Sequence, residues 1–170
     1  MRILLLGGAR SGKSAMAEQL ADSASGPVTY IATAEVADAS MARRVSVHQQ
    51  RRPPSWTTLE SGLELPQLLE LTKGTALVDS LGSWLVRHEA FETPIDELCE
   101  ALLSRDGLSI VVSEEVGLGV HPSTRVGSEF RDALGLLNQA VAAVCDDVFL
   151  CVAGRGLPLK DAASVMRAPE

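Results

Sequence analysis

A glycine-rich segment near the start of the printed sequence constrains the fold more than any other element. It follows the apolar run 3–6 and precedes residues 13–24, whose apolar side chains recur at helical spacing. The segment satisfies the pattern G-x-x-x-x-G-K-[ST] in full, and the motif requires this order of strand, loop and helix. Its residues are Gly7, Gly8, Ala9, Arg10, Ser11, Gly12, Lys13 and Ser14. We therefore predict a phosphate-binding loop at residues 7–14.

The chemistry of such a loop explains the residue type at each position. Glycines let the backbone wrap closely around a phosphate, and the first turn of the helix points its N–H groups toward it. Lys13 would supply a positive charge to the β- and γ-phosphates, and Ser14 would supply a hydroxyl to Mg²⁺. A glycine-rich turn that only caps a helix is the alternative. The complete motif favours binding of a nucleoside triphosphate.

A carboxylate that completes the magnesium site is expected where a neighbouring strand ends. Asp79 follows the apolar run 75–78 and is the best candidate. Glu114 and Glu115 follow the apolar segment 108–113 and are second candidates. Each of these acidic residues could instead cap a helix or favour its first turn through the helix dipole.

Strand patterns alternate with helix patterns along nearly the whole sequence. Apolar runs predict strands at 3–6, 28–32, 56–60, 75–78, 108–112, 148–152 and, weakly, 157–159. Helical spacing predicts helices at 13–24, 39–51, 63–71, 80–89, 95–103 and from 126 onward. Continuously apolar strands indicate a sheet covered on both faces. We predict one α/β domain, residues 1–170, with the three-layer P-loop NTPase fold: a mostly parallel central sheet with helices on both faces.

Composition excludes several classes of protein. The chain has 170 residues, 46% of them apolar and 22% charged, which suits a folded globular domain. The net charge of -7 argues against non-specific binding to nucleic acid. No segment approaches the roughly 20 apolar residues of a membrane helix, and the first apolar run is too short for a signal peptide. The 3 cysteines form no C-x-x-C pair. We expect a cytoplasmic protein.

A second cationic cluster lies between the second and third predicted strands. Arg44, His48, Arg51 and Arg52 are spaced at i, i+4, i+7 and i+8, which would bring them to one face of a helix. Such a face suits a triphosphate or a phosphorylated substrate. The imidazole could donate to phosphate, act as a general base, or attack the α-phosphorus as a nucleophile. A basic stripe on the protein surface explains the same spacing, and the residues alone leave the choice open.

Seven segments together resemble one known family of enzymes, nearly from end to end. They are GGARSGKS at 7–14, YIATA at 30–34, ARRVSVHQQRRP at 42–53, W-x-T-x-E at 56–60, LVDSLGSWL at 77–85, SEEVGLGVHP at 113–122 and the stretch 129–154. In order and spacing they are similar to the bifunctional adenosylcobinamide kinase/adenosylcobinamide-phosphate guanylyltransferases of cobalamin biosynthesis. Members carry Asn-Glu-Val-Gly where this chain has Glu-Glu-Val-Gly at 114–117, so the resemblance matches Glu115 and leaves the role of Glu114 open.

The resemblance implies two reactions. ATP or GTP first phosphorylates the aminopropanol hydroxyl of adenosylcobinamide. GMP from GTP is then transferred to the resulting phosphate through a guanylyl-histidine, and that histidine corresponds to His48. Guanine-nucleotide contacts would fall on the phosphate loop and on Ala32, Thr33, Ala34, Gln49, Gln50, Arg51, Arg52, Glu60 and Asp79. The family also implies a homotrimer.

Two other functions are compatible with the motif. A monofunctional P-loop kinase would use the cluster around His48 only to bind substrate phosphate. A regulatory nucleotide-binding module would need no turnover, and it has no evident use for a histidine among arginines. We therefore expect catalysis, with Lys13 and His48 as the catalytic residues.

Overall fold

A computed structural model describes residues 1–35 and 52–165 of the chain. Elements are numbered in chain order within these ranges. The strands are β1 (Arg2–Gly7), β2 (Val28–Ala32), β3 (Thr57–Glu60), β4 (Thr75–Asp79), β5 (Ser109–Glu114), β6 (Asp147–Val152) and β7 (Arg155–Leu159). The helices are α1 (Lys13–Asp22), α2 (Leu65–Leu71), α3 (Leu81–Leu85), α4 (Ile95–Ser104), α5 (Arg125–Val144) and α6 (Ala162–Val165).

The seven strands form one sheet in the order β3-β2-β4-β5-β1-β6-β7. All neighbours pair in parallel except β6 and β7, which form an antiparallel hairpin at the edge. Because β1 lies between β5 and β6, the loop that follows it emerges near the centre of the sheet. The predicted α/β fold with a mostly parallel sheet is confirmed.

Alternating side chains of the strands divide the core into two layers. Ile3 and Leu5 of β1 pack on the face covered by α1, together with Ala17 and Ala21 of that helix. Leu4 points to the opposite face. The residues that cover this second face come from α2 to α5 and include Leu65, Leu69, Trp84, Leu98, Leu102, Leu134 and Leu137, all at most 1% exposed. Helices therefore cover both faces of the sheet, as the apolar strands predict.

The structure differs from the sequence-based expectations mainly at element ends. The helix expected at 80–89 ends at Leu85, and Ala90 and Phe91 have φ angles of 51° and 60°, which a continuing helix does not allow. The short helix α6, after Asp161, is not among the elements that the sequence predicts. The helix predicted at 39–51 lies outside the described residues. No helix within the described ranges is long and apolar enough to cross a membrane.

Candidate functional site

The glycine-rich segment connects β1 to α1 at the carboxyl end of the central strand. Gly7 is the last residue of β1, and Lys13 is the first of α1. Gly12 is the N-cap residue of α1 and has no side chain to cap the helix. The N–H groups of the first turn therefore face the loop. The loop closes through a hydrogen bond of 3.3 Å from the Ser11 amide to the Gly8 carbonyl. The predicted strand–loop–helix unit is therefore present.

Close backbone contacts fix the shape of the loop. Gly12 has a φ angle of 94°, and a side chain there would lie 2.8 Å from the Cα of Gly154. The Gly154 amide donates a hydrogen bond of 2.7 Å to the Ser11 carbonyl. A side chain at Gly7 would lie 2.5 Å from Ser11 Oγ and 2.7 Å from the Cys151 carbonyl oxygen. Backbone contacts from the end of β6 and the β6–β7 turn therefore hold the loop in shape. The motif alone does not predict these contacts.

Lys13 is the basic residue enclosed by this loop. Its side chain is 11% exposed, and its Nζ lies 3.5 Å from the Gly8 carbonyl oxygen. The same Nζ lies 3.5 Å from Oε1 of Glu114, which ends β5 directly opposite Gly7 in the sheet register. Both contacts are long for a charged donor, whose hydrogen bonds are usually about 2.7–2.9 Å. The ammonium is thus held near the loop without a short hydrogen bond to either group.

Glu114 has stronger contacts on its other side. Ser80 Oγ donates to the two carboxylate oxygens at 2.9 and 3.0 Å, and the Gly82 amide donates at 3.1 Å. A Cβ atom at Gly82 would collide with Glu114 Oε2, so glycine is required for this approach. The carboxylate of Glu115 instead accepts from the amides of Gly117 and Leu118 in its own loop. Of the two acidic candidates at the end of β5, Glu114 contacts Lys13, and Glu115 makes its described contacts within the following loop.

Asp79 ends β4 and contacts an aromatic hydroxyl. Tyr30 Oη donates a hydrogen bond of 2.8 Å to Asp79 Oδ2. Burial raises the pKa of Tyr30, and the Asp79 charge raises it further, so the phenol remains protonated and donates. The Arg52 guanidinium lies over the Tyr30 ring, 3.3 Å from its centroid, and also contacts Thr58 Oγ1 at 3.3 Å. Arg52, Tyr30 and Asp79 therefore form a connected row of polar groups.

The other family-implied contacts within the described ranges lie at the same edge of the sheet. Ala32 is in register with Glu60 of β3 and with Asp79 of β4. Thr33 Oγ1 donates to the Ser80 carbonyl at 2.6 Å and accepts from the Ser80 amide at 2.7 Å. The Thr33 hydroxyl thus joins β2 to the residue that caps α3, while Ala34 follows it. Their contact with a nucleotide stays a prediction.

Several predicted site residues lie outside the part of the chain that the structure describes. They are Arg44, His48, Gln49, Gln50 and Arg51. Their expected grouping on one helix face is therefore untested. Arg52, the last member of the cationic cluster, is described and lies beside β2 and β3.

Sequence comparisons identify relatives over nearly the whole chain. The family model described as cobinamide kinase/cobinamide phosphate guanyltransferase matches residues 3–159. The bifunctional adenosylcobalamin biosynthesis protein CobP of Pseudomonas aeruginosa is 44% identical over 169 residues, covering 94% of this chain and 98% of that protein. The bifunctional adenosylcobalamin biosynthesis protein CobU of Escherichia coli is 34% identical over 182 residues, covering 94% of this chain and 100% of that protein.

The fold also has a match among solved structures. The solved structure of a protein from Pyrococcus horikoshii OT3 aligns with this chain with a TM-score of 0.60 at 7% sequence identity. The alignment covers 95% of this chain and 86% of that one. This similarity supports the α/β architecture alone.

Proposed function

Because the chain belongs to the cobinamide kinase/cobinamide phosphate guanyltransferase family, we propose that it catalyses both reactions on adenosylcobinamide. The first is phosphorylation with ATP or GTP, and the second is transfer of GMP from GTP to the new phosphate. The observation that carries the proposal is the Lys13 ammonium, enclosed in a glycine-lined loop at the start of α1. That arrangement suits binding of a triphosphate.

In the kinase reaction, the substrate hydroxyl oxygen attacks the γ-phosphorus while the bond to the β-phosphate oxygen breaks. The hydroxyl proton passes to solvent, and the nucleoside diphosphate leaves. Lys13 and the first-turn amides of α1 would stabilise the negative charge on the β- and γ-phosphates. The loop residues Gly7 to Gly12 would keep the phosphates aligned, because the β6–β7 turn holds their backbone in place.

Ser14 and Asp79 are the proposed magnesium ligands. Hydroxyl and carboxylate oxygens are the donors that Mg²⁺ prefers, and Ser14 and Asp79 supply one of each. Tyr30 donates to Oδ2 of Asp79, and Oδ1 is the proposed ligand atom, since no residue of the described ranges is seen to donate to it. When bound, the ion would neutralise charge on the phosphates. Within this set, Tyr30 would fix the orientation of the carboxylate.

For the second reaction, we assign the nucleophile to His48. Its imidazole nitrogen would attack the α-phosphorus of GTP and release pyrophosphate; a phosphate oxygen of adenosylcobinamide phosphate would then displace the histidine. Arg44, Arg51 and Arg52 would lower the pKa of the imidazole and keep it neutral for attack. The same arginines would stabilise the departing pyrophosphate. Gln49, Gln50 and Glu60 are the remaining proposed nucleotide contacts.

The proposed partners are nucleoside triphosphates, adenosylcobinamide and its phosphate. No role for nucleic acid is proposed, in line with the net charge of -7. We further propose that the protein is cytoplasmic and assembles as a homo-oligomer, a trimer by analogy with its family.

Covalent labelling tests the proposed function and separates it from a monofunctional kinase. The protein is incubated with GTP labelled at the α-phosphate, and the adduct is tested for lability in acid and stability in alkali. Wild type and His121→Ala are expected to be labelled, and His48→Ala is not. His121 is a suitable control because it is an exposed histidine in the β5–α5 loop. Kinase turnover without any label would favour the monofunctional alternative, and label that persists in His48→Ala would exclude His48 as the nucleophile.

A further inference from the structure

Glu114 occupies a position that brings a carboxylate to the phosphate loop. The register of β5 against β1 places it beside Gly7, and its Oε1 lies 3.5 Å from Lys13 Nζ. Its side chain is 30% exposed. A triphosphate bound to Lys13 would therefore introduce several negative charges close to this carboxylate. At such separations like charges repel by about 1 kcal/mol or more, even with substantial solvent screening.

The contacts of Glu114 show which of its partners can change. Two donors make three contacts with the carboxylate on the α3 side: Ser80 Oγ at 2.9 and 3.0 Å and the Gly82 amide at 3.1 Å. The contact with Lys13 is longer, and a lysine side chain has many rotamers. When a triphosphate competes for the ammonium, Lys13 can therefore move while Glu114 stays attached to Ser80 and Gly82.

A buried ammonium needs a counter-charge in the absence of nucleotide. Lys13 is only 11% exposed, and an unpaired charge at that depth destabilises the folded state. Its other described contact is the neutral Gly8 carbonyl at 3.5 Å. The Glu114 carboxylate therefore provides charge compensation that a triphosphate would provide in the complex.

We propose that Glu114 is a positioning residue that holds the Lys13 ammonium in the nucleotide-free protein and releases it to the triphosphate. This inference rests on the proposed function, because it assumes that Lys13 binds phosphate. Glu114 thereby stabilises the free protein and weakens nucleotide binding at the same time. A magnesium ligand, a catalytic base or a purely structural carboxylate would not have this pair of effects.

The test compares Glu114→Gln with Glu129→Gln. Both remove one negative charge from a glutamate paired with a cation, but Glu129 pairs with the 90% exposed Arg125 on α5. Calorimetric titration with an ATP analogue that has nitrogen between the β- and γ-phosphates measures affinity, with and without Mg²⁺. Urea unfolding measures the stability of the free protein. We expect Glu114→Gln to bind the analogue about three- to tenfold more tightly while its free form unfolds at lower urea concentration. Glu129→Gln should bind like wild type.

Other results would overturn the inference. Lower stability with affinity within twofold of wild type would indicate a structural carboxylate. Affinity that weakens only when Mg²⁺ is present would indicate a metal ligand. A loss of kcat in the adenosylcobinamide phosphorylation assay, at unchanged affinity, would indicate a base. If Glu114→Gln does not fold, Glu114→Asn, a shorter amide, provides the same comparison. Failure of wild type itself to bind both this analogue and the corresponding GTP analogue would instead contradict the proposed function.

Discussion

Two cations lie at opposite ends of the parallel sheet, and their surroundings differ sharply. At the carboxyl end, Lys13 has two described contacts, both of 3.5 Å. At the amino end, the half-buried Arg105 follows α4, and its guanidinium donates to four oxygens. Those acceptors are the carbonyls of Leu69 at 2.6 Å, Gly74 at 2.7 Å and Thr72, and Ser109 Oγ at 3.0 Å.

The difference separates a cation that stabilises the fold from one that we propose binds a ligand. Arg105 satisfies the carbonyls at the end of α2 and in the Gly74 turn, and burial lowers its pKa. It has little capacity left for another partner. Lys13 has long contacts and three donors, so a phosphate can replace its present partners. Close backbone contacts fix the loop around Lys13, whereas no short contact fixes the ammonium within the described residues.

The largest expected effect is on turnover, when Lys13 is replaced. We expect Lys13→Ala to lower the rate of adenosylcobinamide phosphorylation by about 100- to 1,000-fold, because a charge that stabilises the transferred phosphoryl group is lost. The measurement is transfer of label from γ-labelled ATP to adenosylcobinamide. Lys73→Ala is the matched control, since Lys73 is exposed and precedes β4 at the amino end of the sheet. Equal rates in the two variants would contradict the role of Lys13.

Replacement of Arg105 should lower the stability of the fold instead. Arg105→Ala is expected to lower the free energy of unfolding by about 3 kcal/mol, because several partly buried carbonyls lose a charged donor. Urea unfolding measures the change. Arg125→Ala, which removes an exposed guanidinium paired with Glu129, should have a much smaller effect. A similar change in both variants would show that the hydrogen bonds of Arg105 contribute no more to stability than an exposed ion pair does.

A moderate effect on the Mg²⁺ requirement is expected at Tyr30, which donates to the proposed magnesium ligand Asp79. Tyr30→Phe removes the hydroxyl that donates to Asp79 at 2.8 Å and leaves the ring under Arg52. The Mg²⁺ concentration for half-maximal kinase rate should rise about tenfold, as expected when a group that orients a metal ligand is lost. Thr58→Val removes the other Arg52 contact and should leave this concentration unchanged. An unchanged Mg²⁺ requirement in Tyr30→Phe would separate Tyr30 from the metal site.

The smallest effect is expected at an exposed ion pair near the amino end of the sheet. Arg2 donates to Asp146 at 2.7 Å and lowers the pKa of that carboxyl group. A lowered carboxyl pKa adds stability above the ordinary pKa of aspartate, and this is lost as the pH falls through the lowered value. Wild type should therefore be slightly more stable than Asp146→Asn at neutral pH and equal to it in strong acid. A difference that persists in strong acid would assign the effect to something other than this charge.

The comparison also shows what the sequence could and could not predict. The strands and the glycine-rich loop between β1 and α1 were predictable, because buried parallel strands are continuously apolar and the loop has a fixed glycine spacing. Arg105 was missed, because a single arginine between a helix and a strand carries no local pattern and its carbonyl partners lie 31–36 residues earlier.

The acidic groups were predicted only in part. Asp79, Glu114 and Glu115 each follow an apolar run, so the sequence places them at one edge of the sheet but cannot rank them by distance to Lys13. Strand order decides this, because β5 and not β4 is the neighbour of β1. The boundary of α3 at Leu85 likewise depends on the backbone turn at Ala90 and Phe91, which no spacing of apolar residues predicts.

The most direct measurement of the contrast between the two cations is calorimetric titration of the imido-bridged ATP analogue into Lys13→Ala and Arg105→Ala. Circular dichroism first establishes a temperature at which both are folded, and Arg105→Lys replaces the second variant if it does not fold. We predict that Lys13→Ala binds at least about 100-fold more weakly than wild type. The folded Arg105 variant should bind within twofold of wild type. Wild-type affinity in Lys13→Ala, or an equal loss in both variants, would contradict the assignment of Lys13 as the phosphate-binding cation.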